Sequence, residues 1–195
     1  MDGEELRRRY AAGERDFSRI NLRELDLTRT SFRYASLRAA DLSGANLHQA
    51  DFTCAELEDT NFSDANLSKA CFERLEIRNC NFTGANLQEA CLAEAGIFDS
   101  NLKGANLDRF SMIEAVIGSC NMEGVSLRHA ELGDSGIGSC NLRNANLEGC
   151  GGEISVNDID LTGAIEFNRY LVSGGYYNIT LPDGRFITDW LIEEI

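Results

Sequence analysis

Cys71 and Cys91 stand twenty residues apart, and so do Cys120 and Cys140. Thiols at a fixed interval could ligate a metal, close a disulfide or form a redox pair. Their setting argues against a ligand set. The chain has seven cysteines, an odd number, no CxxC pair occurs, and His48 and His129 lie far apart. No zinc spacing emerges from them. No P-loop, GxSxG or HExxH pattern appears either. Asn-x-Ser/Thr triplets begin at Asn61, Asn66, Asn81 and Asn178. They are by-products of a repeat and acquire meaning only in a secreted chain. No catalytic residue, cofactor or metal is expected.

The twenty-residue interval belongs to a shorter pattern. From Phe17 to Leu147, every fifth residue is large and apolar, 27 positions without exception. Two places before each centre, 23 of the 28 residues from Arg15 to Cys150 are Ala, Cys, Ser, Thr or Val. A period of five is neither helical nor that of a plain strand. It fits a very short strand followed by a corner. Side chains alternate in, out, in across three residues, and the last two turn the chain. One inward residue must then be small because it shares a narrow interior with a large one.

Sorting the centres by twenties counts the corners. Leu27, Leu47, Leu67, Leu87, Leu107, Leu127 and Leu147 fall in one column. Phe32, Phe52 and Phe72 fall in another. Residues twenty apart stack, so four pentads make one coil of square section, and nearly seven coils make a rod about 32 Å long. After the second face the corner residues are Glu24, Gly44, Asp64, Gly84, Gly104, Gly124 and Asn144. Gly, Asn and Asp tolerate positive φ, so this one corner is expected to be a type II turn.

Pentads such as ANLQE, ADLSG, ANLHQ and ADFTC resemble the A(D/N)LXX motif of the pentapeptide-repeat family. The resemblance covers residues 15–150, about 70% of the chain. It implies an all-β fold, a right-handed quadrilateral parallel β-helix. The opening LRRRYAAGERDF is similar to the N-terminal caps of bacterial, especially cyanobacterial, members.

Three regions are expected. Residues 1–14 form a helical cap, with Asp2 and Glu5 as a capping box, Gly13 as the stop, and Leu6 and Tyr10 over the first coil. Residues 15–150 form the β-helix. Residues 151–195 cap the far end, with Leu161 one residue out of register and a hairpin turning at Pro182, Asp183 and Gly184.

Within this frame Cys80, Cys120 and Cys140 point inward as small core residues. Cys71 and Cys91 stack outward, a candidate exposed thiol pair. Asn61, Asn81, Asn101, Asn121 and Asn141 ladder up one face, with Asn46, Asn66, Asn86 and Asn106 on the next. The first face departs most from the pattern. Its outward residues begin as Asp16, Ser36, Arg38, Glu56, Glu58, Glu76 and Arg78, then change to Gly96, Phe98, Val116, Gly118, Gly136 and Gly138. Ala93, Ile113 and Gly133 adjoin them. A flat, uncharged, partly apolar patch contacts something. The occupants weighed are the chain's own Tyr176, Tyr177, Phe186 or Trp190, a second copy, or an unidentified protein partner. A homo-oligomer could form through this patch or through the C-terminal cap.

The net charge of −14 repels nucleic acid and anionic membranes and favours basic partners. It is concentrated away from the start: residues 1–35 hold 8 basic and 7 acidic side chains, residues 151–195 hold 2 and 8. With no apolar h-region at the start and no long apolar run, the cytoplasm is the expected compartment. The function expected is a non-enzymatic scaffold for protein–protein interaction or regulation. The alternative, implied by the resemblance, is an acidic DNA mimic that binds a type II topoisomerase such as DNA gyrase.

Overall fold

A computed structural model describes residues 1–167 and 177–189. The chain opens with helix α1, Gly3–Ala11. Asp2 caps it, its carboxylate accepting the Glu5 N–H at 2.8 Å. The Glu5 side chain pairs with Arg8 instead of reaching back to the cap. Gly13, at φ +98°, turns the chain out of the helix. Leu6 is buried against the core, and the Tyr10 hydroxyl lies 3.1 Å from Ser31 Oγ and donates to the Arg33 carbonyl at 3.1 Å. The helix therefore lids the first coil.

Beyond it, four columns of parallel bridges climb the rod. Examples are Asp16 with Ser36, Asn21 with Asp41, Asp26 with Asn46 and Ser31 with Asp51. As far as Gly151 every step is twenty residues, as stacking of like pentads requires. The section is square because each coil contributes one bridge to each column. The first face is the most regular. Its strands are β1 (Leu57–Glu58), β2 (Glu76–Arg78), β3 (Gly96–Phe98), β4 (Val116–Gly118) and β5 (Ser135–Gly138), paired in parallel at strict register.

All pentad centres from Phe17 to Leu147 are buried. Phenylalanines stack within columns: Phe32 on Phe52 at 5.1 Å and Phe62 on Phe82 at 5.0 Å between centroids. Rings of opposite columns, Phe62 and Phe82 of the second face against Phe52 and Phe72 of the fourth, meet edge to face across the core. Outside, the asparagines form the expected ladders; the Asn81 amide donates to Asn61 at 3.1 Å and that of Asn66 to Asn46 at 2.9 Å. The same Oδ1 atoms accept the N–H two residues on, as in Asn81 with Thr83 at 3.1 Å. Asn61, Asn66, Asn81, Asn86, Asn121 and Asn141 thus each bond to the coil below and also tie their own turns.

The corners differ from expectation. Positive φ is found at all four, not at one. Arg19, Glu24, Arg29 and Tyr34 in the first coil lie between 56° and 58°. The reason is the backbone, not the side chain. At the Arg29 and Tyr34 corners the N–H of the next residue bonds back three residues, Thr30 to Leu27 and Ala35 to Phe32, both at 3.0 Å. The corner N–H itself bonds to the coil above, as Arg19 does to Arg38 at 2.8 Å. Such bonds hold a non-glycine residue in the left-handed region despite its intrinsic penalty.

From Thr60 onward the corner after the first face is tied by inward side chains. Thr60 donates its hydroxyl to the Leu37 carbonyl at 2.8 Å, and the Cys80 thiol donates to Leu57 at 2.6 Å. The Cys80 N–H is taken by the Ser100 hydroxyl at 3.0 Å, and that of Cys120 by the Cys140 sulfur at 3.4 Å. The expectation that these cysteines are core residues holds, with a second role added: they satisfy backbone groups. Burial pushes the Cys80 thiol up to about 12, so it remains a donor at neutral pH. Among the described residues no buried side-chain nitrogen or oxygen lacks a partner. Replacing Ser100 by Ala should cost about 1–3 kcal/mol in urea denaturation, because it strands the Cys80 N–H. Ser100→Cys should recover most of that loss; equal losses in the two variants would show that this bond is unimportant.

Past Cys150 the register slips. Ser135 pairs with Ile154 and Asn141 with Asp160, steps of nineteen. The omitted residue falls between Gly151, which still pairs with Glu131, and Ile154, where Gly152 turns the chain at φ +104°. Strand β6 (Ile154–Asp160) bends at Asp158 and carries the ladder on to β7 (Tyr177–Thr180), again at twenty. Leu161 is buried in its shifted register. The expected hairpin follows: β7 pairs antiparallel with β8 (Phe186–Asp189). Its turn closes with the Gly184 N–H on Leu181 at 2.9 Å.

Candidate interaction face

The first face owes its flatness to the five strands β1–β5, whose centres point inward and leave two outward residues per coil. At the β2–β3 step these residues assemble into a stack. The Phe98 ring folds back over its own strand and the next. A methyl group placed on Gly96 would collide with the ring, and one on Gly118 would come within 3.0 Å of it. Glycine at both positions is what lets the ring lie down. Over the ring sits the Arg78 guanidinium, 4.8 Å from the centroid. Arg78 also donates to Glu76 Oε2 from Nε at 3.1 Å and Nη2 at 2.8 Å.

The predicted patch is therefore divided. Gly96, Phe98 and Gly118 form a covered part, sealed by Phe98 and Arg78. Gly138 lies under Asn157, whose Oδ1 would be 2.7 Å from an added methyl. Between them the face is open. Ile113 is 43% exposed and Val116 46%, with Gly136 beside Val116 and half-buried Ala93 on the adjoining face. Of the aromatic residues named as internal covers, Phe186 is 60% exposed on β8. Tyr176 and Trp190 lie outside the described residues, as does the side chain of Tyr177.

A column of carboxylates borders the open part. Arg74, Glu94, Glu114 and Asp134 occupy one corner on successive coils, all exposed and all at φ between 53° and 57°. Arg74 pairs with Glu94 at 3.2 Å. Two grooves run along this corner, one of about 720 Å³ between Arg74 and Val116, the other of about 460 Å³ between Glu114 and Ser155. Glu114 and Val116 line both. This column is visible in the sequence by the same sorting that revealed the glycine corner, but a reading aimed at apolar residues passes over it.

The outward thiols stand elsewhere. Cys71 and Cys91 are bridge partners on the fourth face, both half-buried and both free. Burial raises the Cys71 thiol above its ordinary value, the reverse of what activates a nucleophile. Among the described residues no group of His, Cys, Asp or Glu is arranged to hold a metal, and no helix is long and apolar enough to cross a membrane.

The sequence signature described as pentapeptide repeats, in 8 copies, matches this chain over residues 16–49, 40–74 and 61–95. The chain belongs to the pentapeptide-repeat family. Solved pentapeptide-repeat structures are similar to it to differing degrees. A protein from the Arabidopsis thaliana thylakoid lumen shares 32% identity, over 47% of this chain and 64% of its own, with a TM-score of 0.46. This chain thus spans under two thirds of that relative. HetL, involved in heterocyst differentiation regulation in the cyanobacterium Nostoc, shares 26% identity, over 96% of this chain and all of its own, with a TM-score of 0.35. A trypsin-treated variant of QnrB1, a plasmid-mediated fluoroquinolone resistance protein, aligns over 82% of this chain and 83% of its own at 20% identity, with a TM-score of 0.58. That likeness is one of fold. No curated protein matches the chain.

Proposed function

We propose that this pentapeptide-repeat chain is a non-catalytic scaffold that docks a protein partner on its first face. The observation behind the reading is the open strip at Ile113 and Val116, two apolar residues that flank Glu114, each nearly half exposed and set on a rigid strand ladder. A flat apolar strip with a charged border has the anatomy of an interface core and rim. Rigid stacking of the coils keeps the ordering cost on binding low.

A second reading has one observation in its favour. Glu94, Glu114, Asp134 and Glu153 follow one another up a corner, a row of negative charge like that of a nucleic-acid strand. An acidic DNA mimic aimed at DNA gyrase would use that row. One set of samples tests both. In affinity capture from native lysate, the Ile113→Lys, Val116→Lys double variant should lose, at least tenfold, the protein retained by the wild type. Unchanged capture would sink the docking face. In a gyrase supercoiling assay at micromolar protein, the scaffold leaves supercoiling unaltered, whereas the mimic alters it.

A further inference from the structure

We infer that the occupant of the open strip is an extended protein segment bearing arginine. This deepens the docking reading and depends on it. The chain itself shows the chemistry in miniature. Arg78 lies across the Phe98 ring while its guanidinium bonds Glu76, so this face already holds one arginine between an apolar surface and a carboxylate.

In the first coils of this face the outward arginines are matched internally, while Asp16 and Glu56 carry no ion pair among the described residues. Arg38 pairs with Glu58, Arg78 with Glu76 and Arg74 with Glu94. Higher up, the arginines stop and the carboxylates continue. Glu114, Asp134 and Glu153 have no cationic partner among the described residues. The positions where Arg38 and Arg78 stand lower down are Gly118 and Gly138. Val116 is then left as an apolar floor beside unmatched carboxylates, the same pairing that Phe98 and Glu76 offer to Arg78.

Carboxylates one coil apart, at about 4.8 Å, repel one another. A cation laid between them relieves that repulsion. Arginine suits the site better than lysine because its planar fork lies flat on an apolar surface and meets a carboxylate with two donors. The occupant is extended because the two grooves meet at Glu114 and Val116 and follow the corner along the rod axis.

The test uses the full chain and a fluorescein-labelled nine-residue peptide of alternating arginine and leucine, read by fluorescence anisotropy. Two double variants carry the same change of charge. Glu114→Gln with Asp134→Asn alters the proposed site. Glu24→Gln with Asp64→Asn alters an exposed corner elsewhere on the rod. The first should weaken binding at least tenfold and the second less than twofold. A lysine–leucine peptide should bind more weakly than the arginine peptide. Absence of binding, equal weakening by the two variants, or equal binding of the lysine peptide would overturn the inference. Lysate capture separates this from the docking reading. If capture is abolished by Ile113→Lys, Val116→Lys yet survives Glu114→Gln, Asp134→Asn, the docking face stands and the arginine chemistry falls.

Discussion

Phe52→Ala should lower the stability of the rod by about 3–5 kcal/mol, read as the shift of the urea midpoint in far-UV circular dichroism. Phe52 has no exposed surface. It stacks on Phe32 at 5.1 Å and on Phe72 at 5.0 Å, and meets Phe62 edge to face at 5.6 Å. Truncation removes the transfer energy of a phenyl ring and leaves a cavity that cannot collapse, because β-pairing fixes the spacing of the coils. Each aromatic pair lost adds about 0.5–1.5 kcal/mol within that total. The transition should also broaden. In a solenoid each coil is held mainly by its neighbours, so a weak coil uncouples the two segments on either side. A loss under about 1 kcal/mol would mean that the core has slack which its close stacking does not suggest.

The second large effect is expected at Gly152→Ala. A methyl group there would lie 2.5 Å from the Gly133 nitrogen, 2.8 Å from its Cα and 2.9 Å from the Leu132 carbonyl carbon. These are backbone atoms and cannot rotate aside. The φ of +104° adds strain of roughly 1–3 kcal/mol for any side chain. The damage should be local. Amide protection should fall at Asp160, Leu161 and Ile165, which bond Cys140, Thr180 and Ala145. Amides of earlier coils, such as Asn61 and Asn81, should keep theirs. Gly151→Ala is the control: nothing lies within 4 Å of an added methyl there, and the effect should stay within about 0.5 kcal/mol. Equal behaviour of the two variants would refute the tight-corner account.

Much of this architecture is legible in the sequence because one constraint acts at every fifth residue. A centre such as Leu87 must be large, the preceding Ala85 must be small, and their stacking partners stand twenty residues away. The corners are less legible. Backbone bonding holds Arg19 or Tyr34 at positive φ as firmly as it holds Gly44, so only the glycine-rich column advertises a turn. The nineteen-residue step announced itself as a glycine where a large centre belonged. The interaction face is legible in part. Loss of charge after Arg78 marks it, whereas the folding back of Phe98 depends on the space above Gly96 and Gly118, which belongs to two coils at once. The hydrogen-bonding role of the inward cysteines is equally hidden, since alanine and cysteine look alike to a count of small residues.

The left-handed corners have a consequence for how such a surface can change. Arg, Glu, Lys, Gln, His, Asp and Cys all occupy them here, with φ angles within a few degrees of one another. The conformation therefore accepts charged, polar and small side chains alike, and the β-branched residues that positive φ penalises stand at none of these positions from Arg19 to Gly149. Each coil offers four such sites on a fixed grid, and exchange among the residue types found there keeps the same backbone angles. Surface chemistry and folding are inherited separately, so a lineage could rewrite its recognition code one square at a time without passing through an unfolded ancestor.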